Sequence, residues 1–332
     1  MKRIFVAIMA LGALVSCSKD ELVSVNRQAI QFGNAFVENS TRATSATDPS
    51  YYTNGTTGYT QLTSFDVYGA VGGVNIFNGV EISKGDNAYG SAWTQAAGTN
   101  VQYWIPGANY VFDAVVDATR VTTDTNTGLP TSLSYTVSEQ TDMMHNRVTT
   151  TGQPTTNDGV VTFAFTHLLS KVKFSVVNNT PAAATNYRYV IKDATLTNVF
   201  ASGDYAVPAG TWSGQVDGSY ALDAKLTVES NSTQYNAKEV LLIPGSAVGV
   251  SLTADLEATA DGGTTWTAVA SYPKTFTAVL GNDKVLEANH AYNFILEVTV
   301  GQPIQFTATT LPDWDYDVNN DKNVDSSDNI NL

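Results

Sequence analysis

Val160-Val161-Thr162-Phe163-Ala164-Phe165-Thr166-His167-Leu168-Leu169-Ser170-Lys171-Val172-Lys173-Phe174-Ser175-Val176-Val177 contains two apolar runs, 160–165 and 171–177, separated by a short break. Large apolar residues recur at every second position in each, the period of a half-buried strand, and neither run shows the i, i+3, i+4, i+7 stripe of a helix. The pattern repeats on both sides. Upstream, Phe65 to Val71, Val74 to Phe77, Val101 to Ile105, Tyr110 to Val116 and Leu133 to Val137 read as strands. Downstream, Tyr187 to Ile191, Leu196 to Phe200, Ala224 to Val228, Val240 to Ile243, Val248 to Leu256, Trp266 to Ala270, Thr275 to Leu280 and Ala291 to Val300 read likewise. Gly72-Gly73, Pro106-Gly107-Ala108-Asn109 and Pro154 to Gly159 supply the turn residues between them. Asp261-Gly262-Gly263 carries the φ > 0 residues of a hairpin turn and predicts antiparallel pairing. The longest polar break ahead of the second series of strands, Thr149 to Gly159, divides the body into two β-sandwiches, 43–158 and 159–300.

Composition agrees with an exposed all-β protein: charged residues are only 14% of the 332, while Thr, Ser, Asn and Gly abound. A net charge of −14 repels nucleic acid and anionic membrane surfaces, so neither is an expected partner. With a single cysteine, Cys17, no intrachain disulfide can form, and stability must come from packed cores.

The N-terminus is an export signal rather than part of the fold. Lys2 and Arg3 precede an apolar or small-residue run, Ile4 to Val15, too short for a mature spanning helix. Leu14-Val15-Ser16-Cys17 resembles the lipobox of bacterial lipoproteins, which makes 1–17 a signal peptide and Cys17 the lipidation site. Lipid on Cys17 is then the only expected membrane attachment. Ser18-Lys19-Asp20-Glu21 resembles the surface-export signal of Bacteroidota lipoproteins, and reads alternatively as a solvated charged tether.

Gln28 to Val37 forms an early strand pattern, with Ile30, Phe32 and Phe36 on one face and Gln31 and Val37 opposite. Polar residues from Asn39 to about Thr60 follow, composition that favours an exposed, flexible segment with accessible Arg42. At the other end Ile304-Gln305-Phe306-Thr307-Ala308 is an isolated strand pattern that repeats Ile30-Gln31-Phe32, followed by Trp314 and an acidic tail; 301–332 forms a terminal segment of its own.

Taken in order, the lipobox at Cys17, the Ile30-Gln31-Phe32 strand before Ser40-Thr41-Arg42-Ala43, the Phe165 to Phe174 segment, and the Ala288 to Val300 strand with Ile304, Phe306 and Trp314 resemble the fimbrillins of type V pili, in particular fimbrillin-like lipoproteins of Bacteroidales. The resemblance implies two transthyretin-like antiparallel β-sandwich domains in tandem and a structural, non-enzymatic protein of the outer membrane and cell-surface fimbrium. It implies a propeptide, 18–42, removed by a trypsin-like protease between Arg42 and Ala43. The leaving strand would be Ile30, Phe32 and Phe36, and the groove it vacates would take a strand from another subunit, giving a head-to-tail homo- or hetero-polymer serving adhesion or colonisation. Ile304, Phe306 and Ala308 are the candidate donor strand, or simply the last strand of the second sandwich. The tail after Trp314 lacks the long alternating strand of a shaft subunit. The alternative function is a non-polymerising surface lipoprotein that binds glycan or protein.

Other chemistry is sparse. Asp317, Asn319, Asp321, Asn323, Asp325 and Asp328 have the spacing of a calcium loop, but Lys322 stands where glycine is expected, and a solvated acidic tail accounts for them equally. Calcium is therefore the only cofactor with a candidate site. His145, His167 and His290 are scattered, and His167 and His290 are expected to satisfy backbone groups at strand ends. Tyr51, Tyr52, Tyr59, Tyr89 and Trp93 are aromatics that could meet a glycan or a host surface.

Overall fold

The structure, a computed structural model, describes residues 28–37, 51–53, 59–84, 92–181, 186–222, 225–235, 239–245, 247–279, 285–311 and 314. In chain order the strands of the first half are β1 (Phe32–Val37), β2 (Tyr51–Thr53), β3 (Tyr59–Gln61), β4 (Ser64–Val71), β5 (Val74–Lys84), β6 (Trp93–Gln95), β7 (Asn109–Val116), β8 (Arg120–Thr123), β9 (Pro130–Thr136) and β10 (Met144–Thr151). Next come β11 (Val161–His167), β12 (Ser170–Asn178), β13 (Tyr187–Ala206), β14 (Thr211–Leu222), β15 (Thr227–Glu229) and β16 (Ser232–Tyr235). The last are β17 (Val240–Leu242), β18 (Gly249–Ala258), β19 (Thr267–Ala268), β20 (Lys274–Val279), β21 (His290–Val298) and β22 (Gln305–Thr310). Among the described residues there is no α-helix, only single 3-10 turns at Val137–Glu139 and Asn157–Gly159.

A seven-stranded sheet in the order β1-β11-β10-β7-β4-β5-β6 curls until its edge strands β1 and β6 face each other, enclosing an aromatic core. A five-stranded sheet, β16-β12-β21-β22 with β17 beside β12, shares a second apolar core with an eight-stranded sheet built on β13, β18 and β9. Most pairs are antiparallel. β1 with β11 and β12 with β21 are parallel, which their long sequence separation permits because no tight hairpin joins them.

Strand order does not follow the linear division at 158/159. β11 follows that point yet joins the first sheet, and the β8–β9 hairpin precedes it yet pairs with β13 through Ser202↔Thr136 to Ala206↔Ser132. The runs expected at 187–191 and 196–200 form one bent strand, β13, whose register slips beside Ile191 and at Asn198, where φ is 57°. Part of the polar stretch after Asn39 is the short β2–β3 hairpin. The expected turn at Asp261 is present, with φ of 74° at Gly262 and 97° at Gly263, and it joins β18 to β19.

Gly69 sits at a register slip in β4, where an added Cβ would lie 2.8 Å from Phe77 and 2.9 Å from Phe112. Gly69→Ala is expected to destabilise the chain by about 1–3 kcal/mol in chemical denaturation, because the two rings can yield only by repacking the core.

Candidate functional site

β1 is an edge strand, bonded along one side to β11 from Phe32↔Val161 to Val37↔Phe165. Just before it, Ile30 N–H donates to Gln102 O at 2.8 Å, Trp104 N–H to Gln28 O at 3.0 Å, and Val161 N–H to Gln31 O at 2.9 Å. The Gln95 amide adds one bond to Ile30 O at 3.3 Å. Sheet registry therefore holds one flank of β1, while the other flank looks toward β6 across a cavity of about 540 Å³ lined by Gly33, Trp93, Gln95 and Val160, among others.

The inward side chains supply the apolar contacts. Phe32 meets Phe77, Phe112 and Phe163 at centroid distances of 5.2, 5.5 and 5.9 Å, and Ile30 is 1% exposed. Further along, Ala35 and Val37 are buried. That corrects the face expected for Val37, which the alternation from Ile30 placed opposite the core. A β-bulge explains it: Gly33 opposes Thr162 while Phe36 opposes Ala164, so one extra residue shifts the inward phase from 30 and 32 to 35 and 37. Glycine within a strand pattern signals such a bulge, and Gly33 is the residue that could have disclosed it. Phe36 holds that register position in β1.

At the opposite end Ile304, Phe306 and Ala308 lie in or beside β22, which pairs with β21 from Tyr292↔Thr310 to Glu297↔Gln305. Phe306 is buried edge-on against Phe294 at 5.5 Å. Beyond it, Leu311 N–H donates to Ala291 O, and Trp314, 1% exposed, stacks on His167 at 3.9 Å with Lys171 Nζ 5.2 Å from its ring. Lys171 and Lys173 both face Glu239, at 3.6 and 2.8 Å, which compensates their burial, and the ring adds to it for Lys171.

The histidines divide differently from expectation. His167 Nδ1 lies 3.0 Å from the carboxylate of Asp142, a residue just ahead of the Met144↔His167 pair of the β10–β11 ladder. His290 Nδ1 does donate to a backbone oxygen, that of Ala288, at 2.9 Å. His145 Nε2 lies 2.8 Å from Oδ1 of fully buried Asp113, which Arg147 also grips through Nε and Nη2 at 2.8 Å each. Burial would raise the Asp113 pKa, but hydrogen bonds from His145 and Arg147 outweigh it and hold the carboxyl below its usual range. Sequence spacing carried no signal for this cluster, since β7 and β10 meet only through the sheet.

Trp93 opens β6 and rests on Phe65 at 5.0 Å, a packing residue at the rim of the groove. Tyr51, Tyr52 and Tyr59 lie on β2 and β3. Cys17, Ser18 to Glu21, Arg42, Ala43, Tyr89 and the calcium candidates Asp317, Asn319, Asp321, Asn323, Asp325 and Asp328 lie outside the described residues.

The sequence from residue 38 to residue 314 matches the family model described as fimbrillin-like. The chain belongs to the fimbrillin-like family. Its stretch of family likeness begins directly after β1 and ends on the buried Trp314. The fold of this fimbrillin-like chain is similar to that of a fimbrial protein from Bacteroides vulgatus, at 12% identity and a TM-score of 0.61, covering 87% of this chain and 100% of that one. It is also similar to a candidate cell adhesion protein from Bacteroides uniformis, at 16% identity and a TM-score of 0.52, covering 87% and 98%. No curated protein sequence matches. Family membership makes this a structural, adhesion-related fimbrial protein of the cell surface and not an enzyme.

Proposed function

We propose that the protein is a fimbrial subunit assembled by strand exchange in the groove that β1 occupies. The precursor is exported as a lipoprotein through Cys17, reaches the outer face of the outer membrane and is cut between Arg42 and Ala43 by a trypsin-like protease. β1 then leaves, and a strand from a neighbouring subunit replaces it. The working unit is the pair of β-structured halves, and the lipid departs with the propeptide.

The observation that carries this reading is the placement of β1: an edge strand with ladder bonds to β11 that nonetheless plugs Phe32 into an aromatic core. Fully burying a phenylalanine or isoleucine is worth about 1.5–3 kcal/mol each, so an empty groove exposes several kcal/mol of apolar surface and favours refilling. Main-chain pairing to β11 accepts any sequence, and the sockets of Ile30 and Phe32 add selectivity. A head-to-tail contact of this kind does not close on itself and yields a fibre.

Fibres sheared from cells are expected to carry an N-terminus at Ala43 by Edman or mass analysis, and Arg42→Ala is expected to abolish high-mass ladders on gels of mildly heated samples. Acylated chains starting at Cys17 in the sheared fraction, or unchanged ladders in the variant, would rule the mechanism out.

A further inference from the structure

We infer that the groove under β1 selects a strand with glycine at the position of Gly33 and a small residue at that of Ala35, and so takes its strand from a different subunit rather than from a second copy of this chain. The inference rests on the strand-exchange reading above and adds the identity class of the partner.

The chain's own candidate donor can be laid on β1 through the shared Ile-Gln-Phe. Ile304 and Phe306 then fall in the sockets of Ile30 and Phe32, with Gln305 outward like the exposed Gln31. Leu311 falls on the buried Val37 as well, but the inward positions between do not match. Thr307 falls on Gly33, where an added Cβ would stand 3.1 Å from Cγ1 of Val160 and 3.8 Å from Cδ1 of Trp93, so these side chains at the cavity rim must give way before threonine's two further heavy atoms are accommodated. Thr309 falls on Ala35, which is 3% exposed, so its hydroxyl would be buried on an apolar face. The β-bulge sharpens the restriction, because the slip beside Gly33 is what turns Ala35 and Val37 inward.

β22 is also committed elsewhere. It is paired with β21 through the length of the strand, Phe306 is buried against Phe294, and the chain beyond it is pinned by Trp314 between His167 and Lys171. Donating β22 to a neighbour would draw both aromatic rings out of buried sites, whereas a strand from another subunit carries no such cost to this one.

The test offers labelled peptides in excess to the full chain cut after Arg42. Peptide 28–37 is expected to enter the groove, and peptide 302–311 to bind about tenfold to a hundredfold more weakly. Peptide 302–311 with Thr307→Gly and Thr309→Ala is expected to recover most of that loss, and peptide 28–37 with Gly33→Thr to reproduce it. Equal uptake of 302–311 and 28–37 overturns the selectivity while leaving strand exchange standing. Failure of 28–37 itself to enter removes strand exchange, and the selectivity with it.

Discussion

Replacing Phe32 by alanine is expected to lower the stability of the uncut chain by about 3–5 kcal/mol, the usual cost of deleting a buried aromatic ring. The ring touches Phe77, Phe112 and Phe163, residues of three different strands, so little of the void can be filled by local collapse. Denaturant titration followed by intrinsic fluorescence measures the loss, with Gln31→Ala, on the exposed face, as a control within about 0.5 kcal/mol. A loss under about 1 kcal/mol would mean that β1 is not the plug described above. After cleavage and strand exchange the same substitution is expected to have no effect on fibre stability, because β1 is no longer present. A variant that weakens the precursor and spares the polymer would separate strand exchange from ordinary core packing.

Asp113→Ala is the second large effect, also about 3–5 kcal/mol, because it strands Arg147 and His145 on the same face without their shared carboxylate. The position matters to both cores. Tyr110, Phe112 and Ala114 point into the aromatic core, while Val115, opposite them on β7, joins the large core of the second half, and Asp113 lies on that same face. Loss of the carboxylate therefore loosens the junction between the two. The pH dependence follows from its depressed pKa. The unfolded carboxyl titrates near about 3.9, so the stabilisation is complete above that value and is lost as pH falls through the lower folded pKa. Asp113→Asn is expected to be less stable at neutral pH and to show a flatter acid limb in stability measured from pH 5 downward. An acid limb as steep as that of the unchanged protein would refute the role given to Asp113.

Period-two runs and turn chemistry are local, and they were legible residue by residue. The runs expected at 65–71, 110–116, 160–165 and 291–300 appear as β4, β7, β11 and β21 with ends shifted by up to two residues, and the turns at Gly72-Gly73 and Gly262-Gly263 stand where the φ > 0 residues put them. The early strand was legible too, because Ile30 and Phe32 alternate with Gln31 ahead of a polar break. Its inward set was only half legible: the alternation continued past Gly33 as though the strand were regular, while the bulge exchanged Val37 for the expected phase.

By itself, then, the amino-acid order determined an all-β chain, many of its strands, several of its turns and an early strand set ahead of a polar break, since each depends on neighbours a few residues apart. Tertiary structure alone decided that β11 completes the first sheet and β8–β9 the last, that two pairs run parallel, that Asp113 meets Arg147 and His145, and that Trp314 closes over His167. Those contacts join residues far apart in sequence, and their free energy exists only once both partners are desolvated against each other, a condition that no local pattern encodes.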